Sequence, residues 1–167
     1  MKFAFLDAFS HWLQSTALSK SILETQWTWP ICETLHFVGL ALLIGAVGLA
    51  DLRMLGMAKG LRFEGLHRLI RWGIAGFTIC AITGTLFFIG APFQYVHNVV
   101  FQLKLLFILL AGINALIFEM KVLPQMGDLA PGQDAPMAAK VVAASSLFLW
   151  VGVMFLGRML PFLGEAF

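Results

Sequence analysis

Charged residues are scarce in this chain, and the short motifs that bind nucleotides or metals are missing. Only 12% of its 167 residues are Asp, Glu, Lys or Arg, and the net charge is +2, which is too small to indicate a nucleic-acid-binding surface. The sequence has no P-loop, no glycine-rich dinucleotide fingerprint and no paired-cysteine metal motif. These absences exclude the nucleotide-dependent, nucleic-acid-binding and zinc-binding classes that such features identify.

Apolar residues are present in excess. They make up 60% of the sequence, and the mean hydropathy is +0.88, values typical of membrane proteins rather than soluble domains. Four apolar segments have the roughly 20 residues that a helix needs to cross a bilayer. They cover approximately residues 30–50, 69–90, 98–118 and 137–160. The sequence therefore predicts an all-α, polytopic membrane protein.

The residues before the first span follow a different pattern. Within residues 3–23, apolar residues recur on one side of a helix, and polar residues such as Asp7 and His11 lie on the other. This spacing predicts an amphipathic helix in the membrane interface, and the polar residues interrupt the apolar stretch that a cleaved signal peptide needs. We therefore expect an interfacial part, residues 1–29, followed by a transmembrane part, residues 30–167.

Lys and Arg are distributed unevenly around the four spans. Seven of them lie in or beside the connections after the first and third spans, and the connection after the second span has none. Because basic connections stay on the cytoplasmic side, we expect both termini in the periplasm and the chain in a bacterial inner membrane. The connections are short, so neighbouring helices should be antiparallel and form a four-helix bundle.

Three ionisable residues interrupt the outer half of the spans. Glu33 and His36 are three residues apart and so share one helix face. Lys104 lies six residues inside the third span, at the same depth of about 9 Å as His36 in the first. Intramembrane charges pair with one another or serve a pathway or cofactor. We expect Glu33 to pair with Lys104 beside His36, in an outward-facing polar pocket with Tyr95, His97 and Asn98 at its rim.

The histidines suggest a cofactor. Haem b in a membrane bundle is held by imidazoles from facing helices, and His36 is the only histidine well inside a predicted span. His97, at the outer end of the third span, is its best partner, and His11 approaches the same side from the interfacial helix. His67 belongs to the opposite face, about 20 Å away in depth. The pattern thus predicts one haem b with His36 and His97 as iron ligands.

The other polar residues complete this predicted haem site. Glu33 and Lys104 would hold the imidazole and a propionate, with Tyr95 and Asn98 nearby. A protein with such a site would transfer electrons to or from a quinone or a periplasmic partner. This is the leading functional prediction.

Two other functions fit the same residues. Glu33, His36 and Lys104 can form an ion or proton site in a transport or channel subunit. Alternatively, the Glu33–Lys104 pair fixes the register of two helices in a structural subunit that forms a homo-oligomer or joins a larger membrane complex through its small-residue faces. An enzyme is less favoured, because no nucleophile–base–acid arrangement is visible. Cys32 and Cys80 lie at different depths and should form no disulfide.

Further polar residues lie at the ends of the spans or within them. Asp51 and Arg53 end the first span, where we expect a surface ion pair. Asn114 should form an interhelical hydrogen bond in the inner half of the third span. Arg158 should extend to the interface or compensate the charge of Glu33.

Several of these residues belong to motifs that resemble a known family. The motifs are Trp29-Pro30-x-x-Glu33-x-x-His36-Phe37, Leu52-Arg53-x-x-Gly56, and the set Tyr95, Asn98, Phe101 and Lys104. Together they resemble an uncharacterised family of small four-helix bacterial inner-membrane proteins, which implies no particular activity. The architecture is also similar to that of the small membrane b-type cytochromes, which implies haem and quinol electron transfer. Because the chain lacks their helix-borne histidine pairs, the resemblance implies a single haem at most.

Overall fold

Helices are the only regular elements in the part of the chain that the structure describes. The computed structural model describes residues 4–126 and 132–163, without the side chains of Phe63, Glu64 and His67. Four helices are long and apolar enough to cross a membrane: Thr28–Met54, Arg68–Gly90, Val99–Met126 and Met137–Met159. The predictions of an all-helical chain and of four candidate membrane spans are confirmed.

Two short helices precede the spans, where the sequence predicts one. They are α1, Ala4–Ser15, and α2, Ala17–Glu24. Thr16 separates them, because its extended backbone begins α2 as the N-cap and its hydroxyl accepts a hydrogen bond from Ser19 N at 3.3 Å. The same hydroxyl donates to Leu13 O at 2.6 Å. Side-chain bonds of this kind compete with a continuous helix.

The first two spans approach each other closely through glycine. They are α3, Thr28–Met54, and α4, Phe63–Gly90. A Cβ atom at Gly76 would lie 2.5 Å from Gly39 O and 2.7 Å from Leu43 N, so no side chain fits between the two backbones. Small residues allow this kind of close packing between apolar helices.

The third span is preceded by a short helix and ends in an irregular turn. The elements are α5, Pro92–Val96, then α6, Val99–Ile117, then a π-helical turn, Phe118–Val122, and α7, Leu123–Met126. Asn98 is the N-cap of α6, because its Oδ1 accepts hydrogen bonds from Val100 N at 2.9 Å and Phe101 N at 3.3 Å. The turn and α7 continue the helical segment beyond the predicted end at residue 118.

The last span is α8, Met137–Met159, and it joins the other spans. It packs against α3 and α6, while α3 also packs against α4. As predicted, Asn114 forms an interhelical hydrogen bond, in which its Nδ2 donates to Val142 O of α8 at 3.1 Å. One buried apolar cluster lies where α3 ends and α8 begins: Met54, Leu66, Val122, Met126, Ala135, Ala139 and Ala143. We call this end of the molecule the basic end, after Arg53, Lys59 and Arg62, and the opposite end the α5 end.

Arg53 connects two loops at the basic end. Its side chain is 0% exposed, and it donates from Nε to Leu61 O at 2.9 Å and from Nη1 to Gln133 O at 3.1 Å. Asp51 is also buried, with 3% exposure. The predicted surface pair of Asp51 and Arg53 is therefore wrong. Residues two positions apart on a helix face different directions, and here both directions lead into the protein.

Candidate functional site

His36 is held in one orientation by a hydroxyl group on the neighbouring span. Its Nδ1 lies 2.7 Å from Thr83 Oγ1, and Thr83 Oγ1 lies 2.7 Å from Ile79 O one turn earlier in α4. A hydroxyl has a single proton, and the backbone carbonyl accepts it. We therefore assign the proton between His36 and Thr83 to Nδ1. This tautomer leaves Nε2 with a lone pair, which can bind a proton or a metal ion.

The surface of α4 that faces His36 is aromatic and glycine-lined. The Phe87 ring centroid lies 5.7 Å from that of His36, and a Cβ at Gly84 would lie 3.8 Å from His36 Cε1. On the same helix, the Cys80 thiol donates to His36 O at 3.5 Å. Both cysteines are free thiols. The imidazole is thus half-buried between α3 and α4.

Lys104 brings a third span to this site. It lies on α6 and is partly buried, and its Nζ would be 3.4 Å from a Cβ at Gly157 of α8. Its charge acts electrostatically on His36 and on Cys80. Among the described residues, no carboxylate lies within ion-pair distance of its ammonium group. The predicted counter-charge of Lys104 is therefore not found among the described residues, and its predicted role in one site with His36 stays a prediction.

Glu33 lies outside this polar cluster. Its side chain is exposed, and within residues 4–126 and 132–163 it forms no ion pair with Lys104. Three residues rotate a helix by about 300°, so Glu33 is displaced by about 60° around α3 from His36. His36 faces Thr83 across the contact with α4, and this rotation is enough to place Glu33 on the exposed side. The predicted Glu33–Lys104 pair is not formed.

His97 contacts the N-terminal helix. It follows α5, and its Nε2 lies 2.8 Å from Asp7 Oδ1 of α1, with 40% of the His97 side chain exposed. Ligation of iron through Nε2 would require this contact to break. No group of three or more His, Cys, Asp or Glu side chains converges in the described part of the chain. The predicted pairing of His36 with His97 around one haem stays a prediction.

Tyr95 and Asn98 have structural contacts at the α5 end. The Tyr95 ring lies 5.1 Å from Phe101 and 6.3 Å from Phe88, centroid to centroid. Burial raises the pKa of its phenol above the usual range, so the hydroxyl stays protonated. Besides capping α6, Asn98 donates from Nδ2 to Leu160 O at 3.3 Å. Their predicted role in cofactor binding stays a prediction.

The sequence interpretation missed Thr83, although a signal for it exists. Thr83 lies seven residues before the end of α4 at Gly90, hence about 10 Å below that end. The same calculation places His36 and Lys104 at about 9 Å, so the depth of Thr83 matches theirs. Applying the depth calculation to neutral polar residues as well as charged ones would have included it. Cys80, three residues away on α4, would have followed.

No protein family, curated protein or solved structure matches this chain. The resemblance to a family of small four-helix membrane proteins therefore stays an expectation, and the functional argument depends on the geometry of the site.

Proposed function

We propose that this chain is an ion- or proton-coupled transport or channel subunit, in which His36 and Lys104 form an ionisable site. The observation that carries the proposal is the ammonium group of Lys104, which is partly buried and acts electrostatically on His36, with no carboxylate within ion-pair distance in the described residues. An uncompensated charge inside a protein costs several kcal/mol. Intramembrane lysines and histidines mark proton or ion pathways more often than they serve as structural groups.

The site would hold one positive charge and transfer it between two groups. His36 Nε2 has a lone pair in the tautomer that Thr83 stabilises, and Lys104 Nζ is the other proton acceptor. When both groups are protonated they repel each other, so the site favours a single proton that either group can carry. A proton passing through the site would move from one nitrogen to the other, and no group other than these two needs to change charge.

The proposal includes an antiparallel four-helix bundle in a bacterial inner membrane. Two contacts between α3 and α4 support the antiparallel arrangement. Gly39 approaches Gly76, and Ala46, which is later in α3, approaches Gly73, which is earlier in α4. The proposal is also supported by the position of Arg53, Lys59 and Arg62 at the basic end, which we place in the cytoplasm. Both termini and α5 would then face the periplasm, and the His36 site would lie in the outer half of the membrane.

A flux assay in proteoliposomes tests this function. With a pH-sensitive dye inside the vesicles and an imposed membrane potential, the wild-type protein should conduct protons. His36→Gln and Lys104→Met should reduce the flux to that of empty vesicles. Lys20→Met, which removes an exposed lysine from α2, is the matched control and should conduct like the wild type. Wild-type flux in Lys104→Met would refute the proposed site.

Haem b binding is a second proposal, supported by the ring orientation of His36. Thr83 holds Nδ1 as a donor and leaves Nε2 unprotonated, as a histidine ligand of iron requires. Bound haem would supply electron transfer to or from a quinone or a periplasmic partner. To bind the iron, His97 would have to give up its contact with Asp7.

An absorption spectrum of the purified protein separates the two proposals. Haem would give a Soret band with reducible α and β bands, lost in His36→Ala and weakened or lost in His97→Ala, but retained in His67→Ala. A spectrum without a Soret band would reject the haem proposal. If proton flux were absent as well, the chain would act as a structural subunit of a membrane oligomer.

A further inference from the structure

Another ionisable group of the spans, Asp51, lies far along α3 from His36. Asp51 is in the last turn of α3 and is 3% exposed. The side chain of Ser146 on α8, which is buried too, lies close enough to act on the Asp51 carboxyl group. Its second carboxyl oxygen, Oδ2, has no hydrogen-bonding partner among the described residues. A buried carboxylate oxygen without a donor is costly, and this is the feature that requires an explanation.

A small cavity adjoins Asp51 between α3 and α8. Its volume is about 20 Å³, and about 10–15 Å³ is enough to hold one water molecule. Apart from Asp51 and Gly48, its lining consists of larger apolar side chains of the two helices, Val47, Leu147 and Trp150 among them. A Cβ at Gly48 would meet only Leu147 Cδ2, at 4.0 Å. The missing side chain of Gly48 therefore helps to keep the cavity open.

No cation neutralises Asp51 within the described residues. All four spans meet at this end, and the charged side chains that the structure describes on them there are Arg53, Arg68, Arg71, Glu119, Lys121 and Lys140. Glu119 and Lys121 are exposed on the π-helical turn. The Arg53 guanidinium donates to two backbone carbonyls, Arg68 and Arg71 are exposed, and Lys140 lies 3.6 Å from Asp134. None of them lies within ion-pair distance of the Asp51 carboxyl group. An ionised Asp51 would therefore have no counter-charge among the described residues.

We propose that Asp51 and Ser146 form a proton-binding site that exchanges its proton through one water molecule in this cavity. While α3 and α8 are in contact, Asp51 is a neutral acid with its proton on Oδ2, and the Ser146 hydroxyl donates to the other oxygen. When water enters, the Oδ2–H bond breaks, the water becomes hydronium and Asp51 becomes a carboxylate. The site is independent of His36 and Lys104, and it stands whether or not their proposed function holds.

Infrared spectroscopy of the purified protein tests the protonation. The wild type should show the carbonyl band of a protonated carboxylic acid at neutral pH, and Asp51→Asn, which is nearly isosteric, should lose it. Glu119→Gln, which changes an exposed carboxyl group on the π-helical turn, should retain it. A wild type without this band at neutral pH, or a band that survives in Asp51→Asn, would overturn the proposal.

Two glycine variants test the role of the cavity. Gly48→Ala fills it, whereas Gly45→Ala, on the same helix with nothing within 4 Å of the added Cβ, leaves it unchanged. Both gain the same helix propensity. Transfer into deuterated water should shift the acid band more slowly in Gly48→Ala than in the wild type, and at the wild-type rate in Gly45→Ala. Equal exchange rates in all three proteins would show that the cavity does not conduct the proton.

Discussion

At the scale of single residues, the properties of His36 depend on one hydroxyl group. The Thr83 hydroxyl accepts a hydrogen bond from His36 Nδ1 and donates one to Ile79 O. These two bonds together fix the orientation of the imidazole ring, its tautomer and the free lone pair on Nε2. The contact crosses from α3 to α4, and both side chains are at least half-buried. Loss of this hydroxyl should therefore affect both stability and the chemistry of the imidazole.

Thr83→Val should destabilise the protein by about 1–3 kcal/mol, because the buried Nδ1–H loses its acceptor while the side-chain shape is kept. Thr83→Ser should restore most of the loss. Thr85→Val is the matched control, since the Thr85 hydroxyl is exposed and bonds only to Ala81 O of its own helix. Chemical unfolding in detergent micelles measures the difference. Equal losses in Thr83→Val and Thr85→Val would mean that the contact with His36 contributes nothing.

The positions of Glu33 and Lys104 predict that the two residues are energetically independent. In a double-mutant cycle with Glu33→Gln and Lys104→Met, the changes in unfolding free energy should add to within about 0.3–0.5 kcal/mol, as they do for residues without shared partners. Lys104→Met alone should be neutral or stabilising, because it removes a charge that no carboxylate compensates. A coupling of several kcal/mol would instead indicate the direct ion pair that the sequence predicts.

Residue-level prediction from the sequence fails for the direction in which a side chain points around its helix. Counting residues from the span ends predicts that His36 and Lys104 lie at one level, and the charge of Lys104 acts electrostatically on His36, but this count says nothing about which way a side chain points. The direction in which a side chain points around the helix axis depends on which helix packs beside it. That information comes from contacts such as Gly39 with Gly76, and for this reason Glu33 was assigned to the wrong side.

At the scale of elements, the contact between α3 and α4 is what holds His36 against Thr83. The two backbones meet at Gly39 and Gly76, and a Cβ at Gly76 would lie 2.5 Å and 2.7 Å from backbone atoms of α3. Backbone atoms cannot rotate away as a flexible side chain can. Any added side chain must therefore separate the helices.

Gly76→Ala should destabilise the protein by about 1–3 kcal/mol through overpacking. In the Gly76→Ala background, Thr83→Val should cost less unfolding free energy than in the wild type, because the two helices no longer approach closely. Gly65→Ala is the control on the same helix, where an added Cβ meets nothing within 4 Å. That control should be neutral or slightly stabilising, since alanine favours helix. A stable Gly76→Ala protein with an intact Thr83 effect would contradict the close approach of these backbones.

Element boundaries could be predicted from the sequence wherever hydropathy decides them. Three of the four spans agree with the predicted ranges to within four residues at each end, because crossing length depends on summed apolar character, and the third extends eight residues beyond its predicted end. The break at Thr16 and the π-helical turn at Phe118–Val122 were missed. Both features depend on which local hydrogen bonds the backbone forms. The spacing of hydrophobic residues does not indicate these bonds.

At the scale of the whole molecule, the exposed surface of the spans is what a bilayer would cover. Large apolar side chains are exposed along all four, for example Phe37, Phe77, Leu109 and Phe155. Exposed apolar area of this extent marks an interaction surface, and for helices of this length the partner we expect is lipid. The positive-inside rule predicts that the basic end stays in the cytoplasm, and this proposed orientation would decide from which side the His36 site and the Asp51 site are reached.

Labelling with a membrane-impermeant thiol reagent tests the orientation. In a background with Cys32→Ala and Cys80→Ala, a cysteine placed at Gln94 on α5 should react from outside intact cells, whereas one placed at Gly60 at the basic end should react only after the membrane is opened. Both positions are exposed, and an added Cβ at Gly60 meets nothing within 4 Å, so accessibility should depend on the membrane side alone. The expectation follows from the positive-inside rule, because five basic residues lie in the range 53–71. The reverse labelling pattern would place His36 and Lys104 in the cytoplasmic half and Asp51 near the periplasm, and the proposed order of the two proton-binding sites across the membrane would be inverted.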